Sequence, residues 1–503
     1  MKTVMLSIVA GIFLLIGCEA PGDHDPYGSV DWDFPKSDKD TVAAVDKDTV
    51  AADTASGDLD TVMPEGDDLL PDEDESTDTT DTDGDIPAVD SADAAQNDTD
   101  FVFNDSYSIQ WGTSQYDTGR GIAVESDGQF YVTGDTYGVM SDELSPGGYG
   151  DIFLTRHDGN GKILWALQWG TDEIDTGYDV ATDMSGTIYV TGETNGDLAD
   201  EETGNSGQDG FLTKVDSSGQ IVWTEQWGEH LADERGVAVA VDGMSGDIVV
   251  VGYTDYYEEG FGLERDVLLL RYDDDGALLK TVRWGTDARD EASAVAIAAD
   301  GSVYVAGLTE GDLEEQTLEG STDIFVTKLD ADGDRLWTRL IGTDDSEAYG
   351  SVAVAQDGSV YVAGATYGDF EGNDIGDLNA FLAKLTSGGD LSWVRRWGGP
   401  SSEDNTQVVV NEDGDIFVVG ETFGDMEGRV NKGADDIFVT QWHPDGTKGT
   451  TLLVGTDVNE HVFGVSIGAD DAIFATGETF GDLGTENAGG FDVYVVKFLK
   501  DDF

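Results

Sequence analysis

From residue 105 onward the apolar residues fall into short runs split by glycine, aspartate and serine, and the runs repeat. A phrase closing in Trp-Gly or its equivalent recurs at Trp111, Trp169, Trp227, Trp284, Ile341, Trp397 and Val454, in steps of 56 to 58 residues. A fixed period of this size means one supersecondary unit repeated, each copy burying its neighbour's apolar face. In the unit opening at Trp169 the runs are Tyr178–Thr182, Thr187–Thr191, Gly210–Val215 and Gln220–Gln226. The first run is small and β-branched, as in Val237-Ala238-Val239-Ala240-Val241. The second reads as Tyr304-Val305-Ala306-Gly307 and the third as Asp436-Ile437-Phe438-Val439-Thr440. The fourth carries Trp165, Trp223, Trp337 or Trp393, four residues before the anchor. Side chains four apart on a strand share a face, so both large residues of the fourth run pack the same way.

No stretch of the repeats has a helical period. Asp127-Gly128, Ser185-Gly186, Asp300-Gly301, Asp357-Gly358 and Asp413-Gly414 join runs one and two as tight hairpins require. Seven four-stranded antiparallel units predict an all-β, seven-bladed β-propeller. Its crowded inner strands would take Ala and Val, and its wide outer edges Trp. The final unit stops at Phe503 after three runs (Val462–Ile467, Ala472–Gly477, Asp492–Phe498), while Tyr107-Ser108-Ile109-Gln110-Trp111 aligns with Trp165–Trp169. The N-terminal strand is therefore expected to complete the C-terminal blade and leave no ring edge unpaired.

These motifs resemble the bacterial beta-propeller repeat (SBBP) family. Its units run Asp-x-Phe-Val-Thr-Lys-x-Asp, Gly-x-x-x-Trp, a Trp-Gly anchor and Gly-x-Val-Tyr-Val-x-Gly, and the resemblance covers about residues 105–500. Ile341 and Val454 depart from it by replacing the anchor Trp, and the Asp266–Arg271 run lacks the aromatic. Gly161–Trp165 also looks like the tryptophan-docking motif of quinoprotein propellers, within one strand. Neither resemblance fixes a function, because propellers host many.

Upstream of the repeats the character changes. Residues 1–17 combine Lys2 with an apolar Val4–Ile16 stretch too short to span a membrane, followed by Cys18. Leu15-Ile16-Gly17-Cys18 looks like a bacterial lipobox, which implies a lipoprotein signal peptide with Cys18 as the lipidated first residue. Glu19 at the next position favours an outer-membrane lipoprotein, expected at the cell surface, with the periplasmic face as the alternative. Cys18 is the one cysteine, so no intrachain disulfide can form. Residues 18–104 are low in complexity and carry 27 Asp/Glu against 3 Lys. Too little is apolar to offset ordering entropy, so the segment is read as a disordered acidic tether, about 50 Å root-mean-square as a coil.

Of the net charge of −80, −57 belongs to residues 105–503. Nucleic acid is excluded as a partner, and the membrane is met through the lipid anchor alone. The long acidic loops, Thr254–Asp266 among them, should share one face, formed by the links after strands two and four. Five of them repeat Gly-Asp before an apolar residue, giving Asp197, Asp312, Asp369, Asp425 and Asp482 as the candidate acidic loop face. Capping of their own turns is favoured for these aspartates over metal ligation. No cofactor is expected, with calcium at the acidic loops as the alternative, and no metal ligand set is assigned. The histidines (His24, His157, His230, His443, His461) show no zinc or nucleophile–base spacing, and no catalytic residues are assigned. The expectation is a monomeric, non-enzymatic binding module for a protein or glycan ligand. The alternatives are a periplasmic outer-membrane assembly scaffold, and a quinoprotein-like or lyase enzyme.

Overall fold

The computed structural model describes residues 106–140, 149–199, 207–228, 232–258, 262–314, 316–370 and 378–503. Cys18, the signal segment and the tether lie outside the described residues. The rest forms seven four-stranded antiparallel sheets, with one 3-10 turn at Lys500–Asp502. Numbering blades in chain order, the inner strands are Asp117–Val124, Asp175–Thr182, Asp233–Val241, Asp290–Ile297, Glu347–Val354, Glu403–Val410 and Glu460–Ile467. Each begins before the apolar run that marks it in the sequence, because its polar head is also paired.

Seven buried apolar clusters lie between successive blades, one per junction. Between blades 1 and 2, Tyr131, Ile152 and Leu154 meet Val180, Ile188 and Val190, with Trp165 and Trp169 packed at the edge. Between blades 7 and 1, Phe474, Val493 and Val495 meet Ile122, Phe130 and Val132, so the ring is closed. Closure is also made by backbone pairing: strand Tyr107–Trp111 pairs with Asp492–Phe498 in the register Tyr107↔Lys497 to Trp111↔Val493. Gln110 donates to Gly481 O (2.9 Å) and Asp492 Oδ2 (3.0 Å) and accepts from Leu483 N (2.9 Å). Gln168 and Gln226 make the equivalent bonds inside blades 1 and 2. The split blade is thus held as the continuous ones are.

Blade 3 corrects one expectation. Thr254–Asp266 reads as a long loop, but the second and third strands, Ile248–Glu258 and Gly262–Tyr272, stay paired as far as Glu258↔Gly262. Asp255 pairs with Arg265 in that register, so the stretch is a projecting hairpin.

The anchor glycine has a steric reason. A Cβ on Gly170 would lie 2.7 Å from Asp151 Oδ1 and 2.8 Å from Asp175 Oδ2, and one on Gly455 would lie 2.1 Å from Asp436 Oδ1. Carboxylates from two blades converge on this backbone, which leaves no room for a side chain.

Gln110→Ala should lower stability by about 2–4 kcal/mol, since three buried bonds lose their partner. Gln168→Ala is the reference. Matching losses in chemical denaturation indicate a closed ring in solution, and a silent Gln110→Ala would mean an open one.

Candidate functional site

Each inner strand has a buried carboxylate as its first residue or, in blade 3, its second: Asp117, Asp175, Glu234, Asp290, Glu347, Glu403 and Glu460, all at most 3% exposed. Six accept an N–H from the turn after the anchor, as from Thr171 (2.5 Å), Thr343 (3.0 Å) and Gly399 (2.8 Å). The hydroxyl of the threonine facing it on the second strand also donates, as from Thr254 to Glu234, Thr366 to Glu347 and Thr479 to Glu460. Burial pushes Asp175 up to about 6 and Glu347 and Glu403 up to about 7, against the lowering effect of these bonds.

Two or three residues beyond each carboxylate the pairing with the second strand slips. The register breaks between Gly119/Gly121, Gly177/Asp179, Gly236/Ala238, Ala292/Ala294, Ala348/Ser351, Asp404/Gln407 and Val462/Gly464. A bulge re-aims its extra residue. Here Arg120, Tyr178, Val237, Ser293, Tyr349, Asn405 and Phe463 are extra residues, one from each blade, with Gly350 and Thr406 as second extra residues in blades 5 and 6, and all seven line one cavity of about 310 Å³ on the ring axis. It opens where inner strands begin and second strands end, on the face of the long loops. A second cavity of about 350 Å³ continues from it between the small residues of the inner strands.

The wall of this funnel is chemically lopsided. Around blades 7 to 4 runs an alternating arc of arginine and aromatic rings. Arg120 lies 5.5 Å from the Phe463 ring centre and 5.3 Å from that of Tyr178. Arg235 lies 4.7 Å from Tyr178 and 5.3 Å from Tyr253, and Arg265 lies 3.7 Å from Tyr253. Every guanidinium in the arc is also ion-paired: Arg120–Asp135, Arg235–Glu193, Arg265–Asp255 and Glu291, and Arg289–Glu291. The funnel therefore offers forked donors and π faces with its charges balanced. Around blades 5 to 7 the wall turns to Tyr349, Asn405 and Gln407, backed by Asp404, Glu421 and His461. Asn405 donates to Glu421 Oε1 (2.6 Å) and Gln407 to Phe463 O (2.6 Å).

The five loop aspartates stand elsewhere, exposed at the rim. Asp312, Asp425 and Asp482 each accept a backbone N–H of their own loop, from Leu318 (2.9 Å), Asn431 (3.0 Å) and Asn487 (2.8 Å). Asp197 and Asp369 are also exposed and engaged. The structure does not bring the five together. Of the histidines, His157 is a core residue stacked on Phe130 at 4.6 Å, and burial lowers its pKa to about 4. His443 pairs with Asp415 at 2.9 Å, while His24 and His230 lie outside the described residues. The funnel residues were missed in the sequence, although a signal was there. They are the positions that change chemistry from unit to unit inside an otherwise constant frame.

Fold and axial site together define a closed seven-bladed β-propeller with a funnel at one end of its axis. Residues 164–199 match the family model described as SBBP, beta-propeller repeat, so the chain carries this repeat. The regulatory protein FlaEY of Caulobacter vibrioides is 29% identical over 202 residues, 36% of this chain and 21% of the relative. The chain thus matches about a fifth of that protein's length. Among solved structures, it is similar to the polysaccharide lyase Uly1 (13% identity, 77% of this chain and 91% of that one, TM-score 0.45). It is also similar to a fungal alcohol oxidase of the AA5 family in complex with copper (16% identity, 78% and 75%, TM-score 0.45). Identities this low say nothing of shared activity.

The strand-head carboxylates set a pH dependence. For Asp117, Asp175, Asp290, Glu347, Glu403 and Glu460 burial raises the folded pKa above the unfolded one, so the folded state holds protons that the unfolded state releases. Their stabilisation is full below about pH 4, the unfolded value, and is lost as pH rises through 6 to 7. The turn aspartates Asp127, Asp183 and Asp357 are shifted down by their N–H bonds and act oppositely, only below about pH 4. Melting temperature at fixed ionic strength should be higher at pH 5 than at pH 8. Glu347→Gln should shallow that slope, because glutamine cannot titrate.

Proposed function

We propose that this protein is a lipid-anchored, extracytoplasmic binding module that receives its ligand end-on in the axial funnel of its long-loop face. The observation that carries this reading is the convergence of seven bulge residues of differing chemistry on one axial cavity, within repeats that are otherwise alike. Structural repetition explains the shared frame and does not explain why these positions diverge. The ligand class that fits is the end of a glycan. Tyr178, Tyr349 and Phe463 offer faces for sugar rings, and Asn405, Gln407 and the paired arginines offer planar hydrogen-bonding groups. An isolated anion fits less well, because each arginine of the arc already has a carboxylate. Lipidation at Cys18 and display at the outer surface on the acidic tether belong to the same proposal, as does action as a monomer.

A glycan array probed with the full chain should give saturable binding to a defined terminal sugar. Phe463→Ala and Tyr349→Ala should each weaken it at least tenfold while the melting curve changes little. Binding confined to a protein array, or indifferent to both substitutions, would remove the glycan reading. For location, protease treatment of intact cells should release the ring, and Cys18→Ser should move the protein out of the membrane fraction.

A further inference from the structure

The junctions between blades repeat not only in shape but in three registers that face one another. These are the second-strand residue just before the threonine that faces the buried carboxylate, the residue just before that threonine's partner on the third strand, and the residue just after the buried carboxylate of the next inner strand. At the 2–3 junction Glu193 is met by Arg235, and at the 3–4 junction Glu291 is met by Arg265. At 4–5 the registers hold Leu308, Thr322 and Ala348, and at 7–1 Glu478 accepts a hydroxyl hydrogen bond from Thr118 (2.6 Å). Charge at these places is absent or answered by arginine or hydroxyl donors.

The 6–7 junction breaks this rule. Its registers are Glu421, Asp435 and His461, and a ligand atom of each lies within 4.8 Å of the others. His461 Nδ1 is 3.2 Å from Glu421 Oε2 and 3.8 Å from Asp435 Oδ2. Glu421 and Asp435 are each 2% exposed. Two further carboxylates, Asp404 and Glu478, act electrostatically on this group. Among the described residues no other junction places two carboxylates at these registers.

The remaining bonds hold the donor atoms in place. Glu421 Oε1 is occupied by Val462 N (2.7 Å) and Asn405 Nδ2 (2.6 Å), which leaves Oε2 for the cluster. Asn459 Nδ2 donates to Asp435 Oδ2 (3.0 Å), while Asp435 Oδ1 is buried without a hydrogen-bond partner. Several strand-head carboxylates also keep a buried oxygen without a partner; what sets Asp435 apart is that a second carboxylate and an imidazole lie beside it, an arrangement that a cation would complete.

The geometry points to a divalent metal site at the 6–7 junction, with Glu421, Asp435 and His461 as ligands and one position left for water or a ligand group. One imidazole nitrogen with two carboxylate oxygens suits a borderline cation of the zinc class better than calcium, which prefers an all-oxygen shell. Bonds of about 2.0–2.1 Å to such an ion need ligand atoms somewhat over 3 Å apart, close to the spacing present. Glu421 also holds Asn405, a funnel residue, so an ion here would fix one wall of the axial cavity. The site stands on the junction geometry and does not depend on the glycan reading.

The test is calorimetric titration of the chelator-treated full chain with zinc chloride and, separately, calcium chloride at matched ionic strength. The expected result is one saturable zinc equivalent, weakened at least tenfold in both His461→Gln and Glu421→Gln, with calcium at least a hundredfold weaker. Zinc-edge X-ray absorption on the unaltered chain should show an imidazole nitrogen in a nitrogen–oxygen shell, and this needs no variant to fold. No saturable zinc equivalent, binding unchanged in His461→Gln, or an all-oxygen shell would each overturn the proposal. So would calcium binding as tight as zinc at the same site. Since metal binding is read directly, failure of the glycan experiment leaves this result interpretable, and the converse holds.

Discussion

The structure depends on a carboxylate buried at the head of every inner strand. Placing a carboxylate away from water is unfavourable unless hydrogen bonds replace those it gives up. Here the replacements come from two directions. In six blades the turn after the preceding anchor donates an N–H, and a threonine ending the second strand of the same blade donates its hydroxyl, as Thr343 and Thr366 do to Glu347. One side chain thereby fastens the link between blades to the edge of the sheet that follows it. The anchor glycine is a consequence, because a Cβ on Gly112 would sit 2.3 Å from Asp492 Oδ1 and 2.9 Å from Asp117 Oδ2. The upward shift of several of these groups shows that desolvation outweighs the hydrogen bonds. The arrangement is retained for the geometry it imposes.

What it imposes is the starting point of each inner strand, and so the place of the bulge that follows. With the head fixed, the extra residue turns toward the axis in every blade and is released from the packing that constrains its neighbours. Tyr349 and Asn405, in the two-residue bulges, adopt φ of 59° and 47°, a conformation that most side chains avoid. Variation can then accumulate at the axis without disturbing the junction cores. The charge distribution follows the same division. The exterior carries the large acidic excess, while Arg120, Arg235, Arg265 and Arg289 gather around the axis with paired carboxylates and stacked rings.

This division decides what the sequence could reveal. The blade count and the completing N-terminal strand were legible because apolar periodicity and the Trp-Gly phrase recur at a nearly constant step. Asp312, Asp425 and Asp482 were legible as turn caps because the motif is local, with acceptor and donor five or six residues apart. The extended hairpin of blade 3 was hidden by composition, since Tyr256, Tyr257 and Glu258 continue the pairing without an apolar signature. The funnel was hidden for the opposite reason. Arg120, Tyr178, Val237, Ser293, Tyr349, Asn405 and Phe463 have no common chemistry, so a search for shared motifs passes over them. Glu421, Asp435 and His461 are separated along the chain and meet only across a blade boundary, where spacing carries no signal.

Closure of the ring bears on the site as much as on stability. Arg120 belongs to blade 1 and Phe463 to blade 7, so their 5.5 Å contact spans the seam where the two ends of the ring meet. The hydrogen bond from Gln407 to the Phe463 carbonyl ties that ring to blade 6, and Asp135 holds Arg120 from the other side. The seam is kept in register by strand Tyr107–Trp111 completing blade 7 and by the Phe130–Phe474 contact at 5.3 Å. The axial funnel therefore requires the closed ring, whereas each inter-blade core requires only its two neighbours.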